Sequence, residues 1–114
     1  MSPSAEYVEY VLELLEPIGL LRTSRFFGGV GLYFNSIQFS MMMGNSLYFV
    51  VDETTRGKYE QAGMRPFSYM TKKRRIFVRK YFELPEDILT DSEQLRLWAS
   101  EAIHVAGKTK KHNT

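Results

Sequence analysis

The sequence predicts an α+β domain: a five-stranded antiparallel sheet with N- and C-terminal helices and a short helix between strands three and four. Two observations predict it. Apolar and polar residues alternate with a period of two through residues 30–51 and 66–82, in segments separated by glycine, asparagine and lysine turns. Amphipathic helical spacing occupies both ends of the chain. At 114 residues and 44% hydrophobic composition, we expect a single domain over residues 1–106 and a disordered basic tail at 107–114.

The first helix is predicted to begin after Ser4, a good N-cap, and to end near Glu16, because Pro17 disfavours helical geometry at the preceding residue. Its apolar side chains fall on one face, comprising Tyr7, Val8, Val11, Leu12 and Leu15. Such a helix usually forms a lid on a sheet, with a membrane or partner helix as the alternative.

Three strands follow a predicted connection at residues 20–24, and Asn35-Ser36 and Gly44-Asn45 are the turns between them. The glycines in FFGGVGLY resemble a phosphate-binding loop. Such a loop requires a helix directly after the glycines, whereas here a strand continues. Glycines within a strand instead indicate a bulge or the close approach of another backbone.

The second half of the chain is predicted to alternate between short helices and strands. Asp52 caps a helix from about Glu53 to Ala62. In order, the later elements are strands at 66–70 and 74–82, a helical turn at 85–89, and a last helix from Asp91 or Ser92 to about Val105, ended by Gly107.

One face of the predicted sheet is more apolar than a solvent-facing surface requires. Its residues are Tyr33, Met42, Tyr48, Val50, Phe77 and Tyr81. They indicate a second covering layer or a subunit interface, for which the candidates are Tyr33, Tyr48, Phe77 and Tyr81. The alternative is that the two terminal helices cover opposite faces of the sheet. The run Met41–Met43 fits a core, although methionine is also common on adaptable binding surfaces.

Positive charge is concentrated in residues 65–80, which contain seven basic residues and no acidic one. Such a segment attracts a polyanion or an acidic partner, and the alternative is a solvated hairpin tip. The candidate residues for contact with DNA or an acidic partner are Lys72, Lys73, Arg74, Arg75, Arg79 and Lys80. In a strand, Arg75, Phe77 and Arg79 share one face, which places basic and aromatic side chains together.

The residue types argue against catalysis. The chain has no cysteine, which excludes disulfides and thiolate chemistry and fits a reducing compartment. His104 and His112 have no acid or nucleophile at a useful spacing, and the acids between Glu83 and Glu93 suit helix N-termini. We expect no metal, no cofactor and no enzymatic activity. No apolar run has the length of a membrane span, and a soluble cytoplasmic protein is predicted.

Four motifs occur in a fixed order between about Glu6 and Ala106. They are the strand FFGGVGLY, the strand LYFVVD with a helix at its aspartate, the element GMRPF at residues 63–67, and the strand end YFELPE at residues 81–86. Together they resemble the TfoX amino-terminal domain family. Val30 stands where the family commonly has an aromatic residue, and Phe82 where it commonly has a tyrosine.

The resemblance implies a fold similar to the secretion chaperones, which often form homodimers. Family members with a second, helical domain regulate competence genes for DNA uptake and look like coactivators of the cyclic-AMP receptor protein. The chain is therefore expected to be a non-enzymatic, stand-alone regulator of competence (DNA transformation) genes. We expect it to act through a transcription factor of that type and through DNA, not at a membrane. The alternative is a dimeric interaction module that does not bind DNA.

Overall fold

The computed structural model describes residues 2–112 and the side chains up to residue 108. In chain order the elements are α1 (Ala5–Leu14), a 3-10 turn (Glu16–Ile18), β1 (Arg22–Phe26), β2 (Gly29–Phe34), β3 (Ile37–Met43), β4 (Ser46–Val50), α2 (Arg56–Gln61), β5 (Pro66–Met70), β6 (Arg75–Glu83), α3 (Glu86–Leu89) and α4 (Ser92–His112). The predicted α+β class with an antiparallel sheet is confirmed. None of the helices in residues 2–112 is long and apolar enough to cross a bilayer.

The sheet has six strands, in the order β1-β2-β3-β4-β6-β5, so the prediction of five strands is wrong. The extra strand, β1, was expected to be part of a connection. It pairs with β2 along its whole length, with Arg22 opposite Tyr33 at one end and Phe26 opposite Gly29 at the other. Its first four residues are exposed, and their side chains therefore give no alternating pattern. Backbone pairing with β2, rather than burial of side chains, makes this segment a strand.

Two helices differ from their predicted bounds. The regular part of α2 begins at Arg56, because Asp52 forms a turn in which its carboxylate accepts hydrogen bonds from the backbone of Thr54 and Thr55. The last helix does not end at Gly107 but continues to His112. Its Lys108 lies 3.4 Å from Asp52, a contact that ties this end of α4 to the turn before α2. Residues 113–114 of the predicted basic tail lie outside the described residues.

A bulge in β3 sets which side chains share a face of the sheet. Leu32 pairs with Ser40 and Tyr33 with Gln38, so Phe39 has no partner on β2. An extra residue in one strand reverses the alternation beyond it. Beyond the bulge the side chains of β3 still alternate, and all are buried from Phe39 to Met43 because both faces of the strand are covered. Met42, which was predicted on the face with Tyr48, pairs with Leu47 and lies on the other face.

The helices cover the face that carries Leu32, Phe34 and Ile37. The ring of Phe34 lies against Gly19, directly after the 3-10 turn, and Ile37 lies against Gly107 of α4. Small residues in α4 let this helix approach the strands closely. The buried side chains of α4 are Leu95, Ala99, Ala102, Val105 and Ala106. Val11 and Leu15, fully buried at the C-terminal end of the first helix, join the same core.

The opposite face of the sheet is strongly concave. Phe26 of β1 and Tyr81 of β6 have ring centres only 6.2 Å apart. These strands are four positions apart in the sheet, and in a flat sheet they would be separated by about 19 Å. The sheet therefore curls, and side chains from its outer strands lean over the middle ones. On the same face, Gly29 of β2 lies close to β3, where a Cβ atom would overlap the Met42 carbonyl and the Met43 sulfur.

Candidate functional site: a basic arm beside an aromatic pocket

The hairpin of β5 and β6 projects from the body of the sheet. Strand β6 pairs with β4 only through Tyr81, Phe82 and Glu83. Before that point, the backbone carbonyl of Lys80 accepts a hydrogen bond of 2.8 Å from Val51. The distal part of β6, from Arg75 to Val78, pairs with β5 instead. We call the segment from Phe67 to Lys80 the basic arm.

Thr71 stabilises the turn at the tip of the basic arm through its side chain and its backbone. The Thr71 hydroxyl accepts hydrogen bonds from the backbone of Lys73 and Arg74 and donates one to the Arg74 carbonyl at 2.8 Å. The backbone of Thr71 also donates to the Arg74 carbonyl at 2.8 Å. This turn fixes the backbone from which the bases at the tip extend.

All six predicted contact residues lie on the basic arm, and all are exposed to solvent. They are Lys72, Lys73, Arg74, Arg75, Arg79 and Lys80. Within the described part of the chain, the ion pairs are those of Lys58 with Glu101 and Lys108 with Asp52, and none involves the arm. The arm therefore presents cations whose charge no neighbouring carboxylate neutralises.

The basic arm has two different faces. Cross-strand pairs share a face, and Ser68 opposite Phe77 and Met70 opposite Arg75 form the outer one. On it, Arg75 donates a hydrogen bond of 2.8 Å to the Ser68 hydroxyl. The Arg79 guanidinium lies 5.9 Å from the centre of the half-exposed Phe77 ring. The structure thus places Arg75, Phe77 and Arg79 together, as the alternation along the strand predicts.

The inner face of the basic arm is one wall of an apolar pocket of about 650 Å³ on the concave side of the sheet. This wall consists of Phe67, Tyr69 and Val78. Phe67 also packs edge-on against Tyr48, with ring centres 5.4 Å apart. The floor consists of Met41 and Met43 of β3 and Tyr81 of β6. The opposite wall consists of Phe26, the last residue of β1, and Phe27 in the turn after it.

Phe27 stands out among the residues of this pocket. Its backbone has φ 47°, a left-handed conformation that is rare for a bulky side chain. Its side chain is 86% exposed, although its ring packs edge-on against Phe26 at 4.7 Å. With Gly28, at φ 81°, it forms the two-residue turn between β1 and β2. A large exposed aromatic side chain is thereby held at the mouth of the pocket.

The predicted interface residues do not share one surface. Tyr33, Tyr48 and Tyr81 lie on the concave face, whereas Phe77 lies on the outer face of the basic arm. Tyr81 is buried within the chain, and burial, with a smaller effect of Tyr33, raises the pKa of its hydroxyl to about 12. Tyr48 is half-buried, and burial and Glu83 raise its pKa. Side chains of the same chain therefore cover much of this apolar face.

The sequence did not identify the pocket itself. Phe26, Phe27, Phe67, Tyr69 and Val78 were not among the candidate residues, because their proximity depends on the curl of the sheet. One signal was present: two phenylalanines directly before two glycines fit a turn with an aromatic residue at its tip. In the described residues, no group of three histidine or acidic side chains is placed to hold a metal ion.

A family profile described as the TfoX N-terminal domain matches residues 13–106, which is most of the chain. A search of curated proteins finds no match. The matched segment contains all six strands, and therefore both the basic arm and the pocket.

Proposed function

Since the chain belongs to the TfoX N-terminal domain family, we propose that it is a non-enzymatic regulator of competence (DNA transformation) genes. In this proposal, the basic arm contacts the phosphates of duplex DNA. One observation carries it: six exposed bases lie on a projecting hairpin, and no carboxylate in the described residues pairs with them. Lysine and arginine side chains in such a position bind phosphate and release counterions.

Contacts of this kind position a protein on DNA without reading its sequence. The arm is a two-stranded ribbon with three of its bases, Lys72, Lys73 and Arg74, at the tip, where they reach a phosphate backbone first. A regulator that binds in this way requires a second protein to select the promoter. We propose that this partner is a transcription factor of the cyclic-AMP receptor type and that the complex acts in the cytoplasm.

The test is fluorescence anisotropy with a labelled duplex over a salt series of about 50 to 200 mM. The arm variant is Lys72→Ala/Lys73→Ala, and the control Arg22→Ala/Arg96→Ala removes the same charge from exposed positions elsewhere. If both lysines contact phosphates, the log–log salt slope of the arm variant falls by about two units, and that of the control stays unchanged. Equal losses in both variants, or no binding by the native chain at low salt, would refute DNA contact by the arm.

A homodimeric interaction module without DNA contact is the second candidate. Strand β5 is at the edge of the sheet, and its last two residues, Tyr69 and Met70, are 48% and 62% exposed. An edge strand with exposed apolar side chains is suited to pair with a second copy. Sedimentation equilibrium distinguishes the two candidates: a dimer that binds no duplex supports this second one.

A further inference from the structure

The pocket between the basic arm and the β1–β2 turn is suited to a small ligand. Its volume of about 650 Å³ is within the range of small-molecule sites, roughly 300–1,000 Å³. It has a wall on each side and a floor of sheet residues, which gives it the form of a trough. Two of the floor residues, Met41 and Met43, have flexible side chains that adapt to the shape of an apolar ligand.

The charges near the pocket indicate which polar group an apolar ligand would carry. The residues that line it carry no formal charge at neutral pH. Lys80 does not line the pocket, but its ammonium lies 5.8 Å from the centre of the ring of Tyr81, which does. The neighbouring acid, Glu83, is opposite Tyr48 on β4 and does not line the pocket. A ligand with an apolar body and one anionic group therefore finds a complementary cation beside an apolar trough.

The exposed ring of Phe27 is a second, independent feature. Its left-handed backbone is what a two-residue hairpin turn requires, as in the Asn35-Ser36 turn. The side chain is nevertheless 86% exposed beside the apolar pocket that it lines. A ligand in the trough covers the Phe27 ring, which the chain itself leaves in water.

From these features we infer that the pocket binds a single-chain amphiphile with an anionic head, such as a medium-chain monocarboxylate. The tail lies along Met41 and Met43 beneath Phe27, and the carboxylate faces Lys80. No covalent step is involved. The role is that of a ligand site at the base of the basic arm, which shares Lys80 with the arm but not the bases at its tip, Lys72, Lys73 and Arg74.

The experiment is a titration of the native chain with decanoate below its micellar concentration, followed by NMR of methionine methyl groups labelled with carbon-13. Met41 and Met43 line the pocket, while Met42 lies between them on the helix-covered face and serves as an internal control. We expect saturable shifts at Met41 and Met43 and little change at Met42. Decyltrimethylammonium, with the same tail and a cationic head, is expected to bind more weakly.

Two variants test the residues separately. Lys80→Met is expected to weaken decanoate binding by up to about fivefold, the effect of an exposed ion pair, whereas Lys73→Met at the tip leaves it unchanged. Phe27→Asn removes the ring, and asparagine tolerates the left-handed backbone, so the fold is kept while decanoate binding weakens.

Three results would overturn the inference. The first is the absence of shifts at Met41 and Met43 at millimolar decanoate. The second is equal binding of the anionic and cationic probes. The third is a shift of the same methyl groups with protein concentration and without ligand, which assigns the pocket to a second copy of the chain.

Discussion

Two glycine-to-alanine substitutions test how closely β2 packs against β3 on the concave face, because the structure assigns them opposite effects on stability. At Gly29 a Cβ atom overlaps the Met42 carbonyl, a backbone atom of the neighbouring strand, and the Met43 sulfur. At Gly57, in α2, a Cβ atom meets nothing within 4 Å. The chemical change is the same at both positions, so the difference isolates the close approach on the concave face.

The expected magnitudes follow from this geometry. Overpacking of a filled site costs about 1–3 kcal/mol, and loss of the conformational freedom of glycine in the unfolded chain returns about 0.5–1 kcal/mol. Gly29→Ala should therefore lower the free energy of unfolding by up to about 2.5 kcal/mol. Gly57→Ala should raise it by about 0.5–1 kcal/mol, the difference in helix propensity between the two residues.

The assay is urea denaturation followed by the fluorescence of Trp98, the single tryptophan. This ring packs edge-on against Tyr59 of α2 at 4.8 Å and reports loss of the native packing. Thermal unfolding provides a second measure, with about 4 °C expected per kcal/mol for a chain of this size. A Gly29→Ala variant as stable as Gly57→Ala would show that β2 does not approach Met42 and Met43 of β3 as described.

Three further predictions concern single side chains. Ser40→Ala should lower the free energy of unfolding in urea by about 0.5–1.5 kcal/mol, because the buried Ser40 hydroxyl donates a 2.7 Å hydrogen bond to the Tyr48 carbonyl; an unchanged midpoint would argue against this bond. At Asp52, burial raises the pKa, but hydrogen bonds led by those of Thr55 outweigh burial and lower it. The stability advantage of the native chain over Asp52→Asn should therefore be present above the ordinary carboxyl pKa of about 3.9 and disappear in denaturation curves at lower pH; an advantage that grew on acidification would contradict this. Burial raises the pKa of Tyr81 to about 12, so its contribution to stability is complete below pH ~10 and is lost as the pH rises toward 12. Between these values the native chain should lose more stability than Tyr81→Phe, and equal losses would mean that the floor of the pocket is exposed.

The fold could be predicted from the sequence where side-chain pattern and backbone agree. The meander of β2, β3 and β4 and the hairpin of β5 and β6 combine alternating burial with recognisable turns. Strand β1 could not be predicted, because pairing with β2 holds it and its side chains are exposed. The end of α4 was misjudged at Gly107, where contact with Ile37 and the nearby pairing of Lys108 support a helix that glycine alone would weaken.

Of the candidate site, the basic arm could be predicted from the sequence and the pocket could not. The bases of the arm are adjacent in sequence, and a charge run between two strands is enough to place them on a hairpin. The pocket depends on tertiary structure, since Phe27, Met41 and Val78 come from three separate strands or turns. The bulge at Phe39 also exchanged the faces of neighbouring residues, which is why Met42 was assigned to the wrong side.

Contact between the basic arm and duplex DNA can be tested by mapping backbone amide chemical shifts during a titration with a short duplex. If the arm contacts DNA, the amides with the largest shifts lie between Thr71 and Lys80, and added salt reverses these shifts. Shifts concentrated on the surface of α4, or none at low salt, would contradict it.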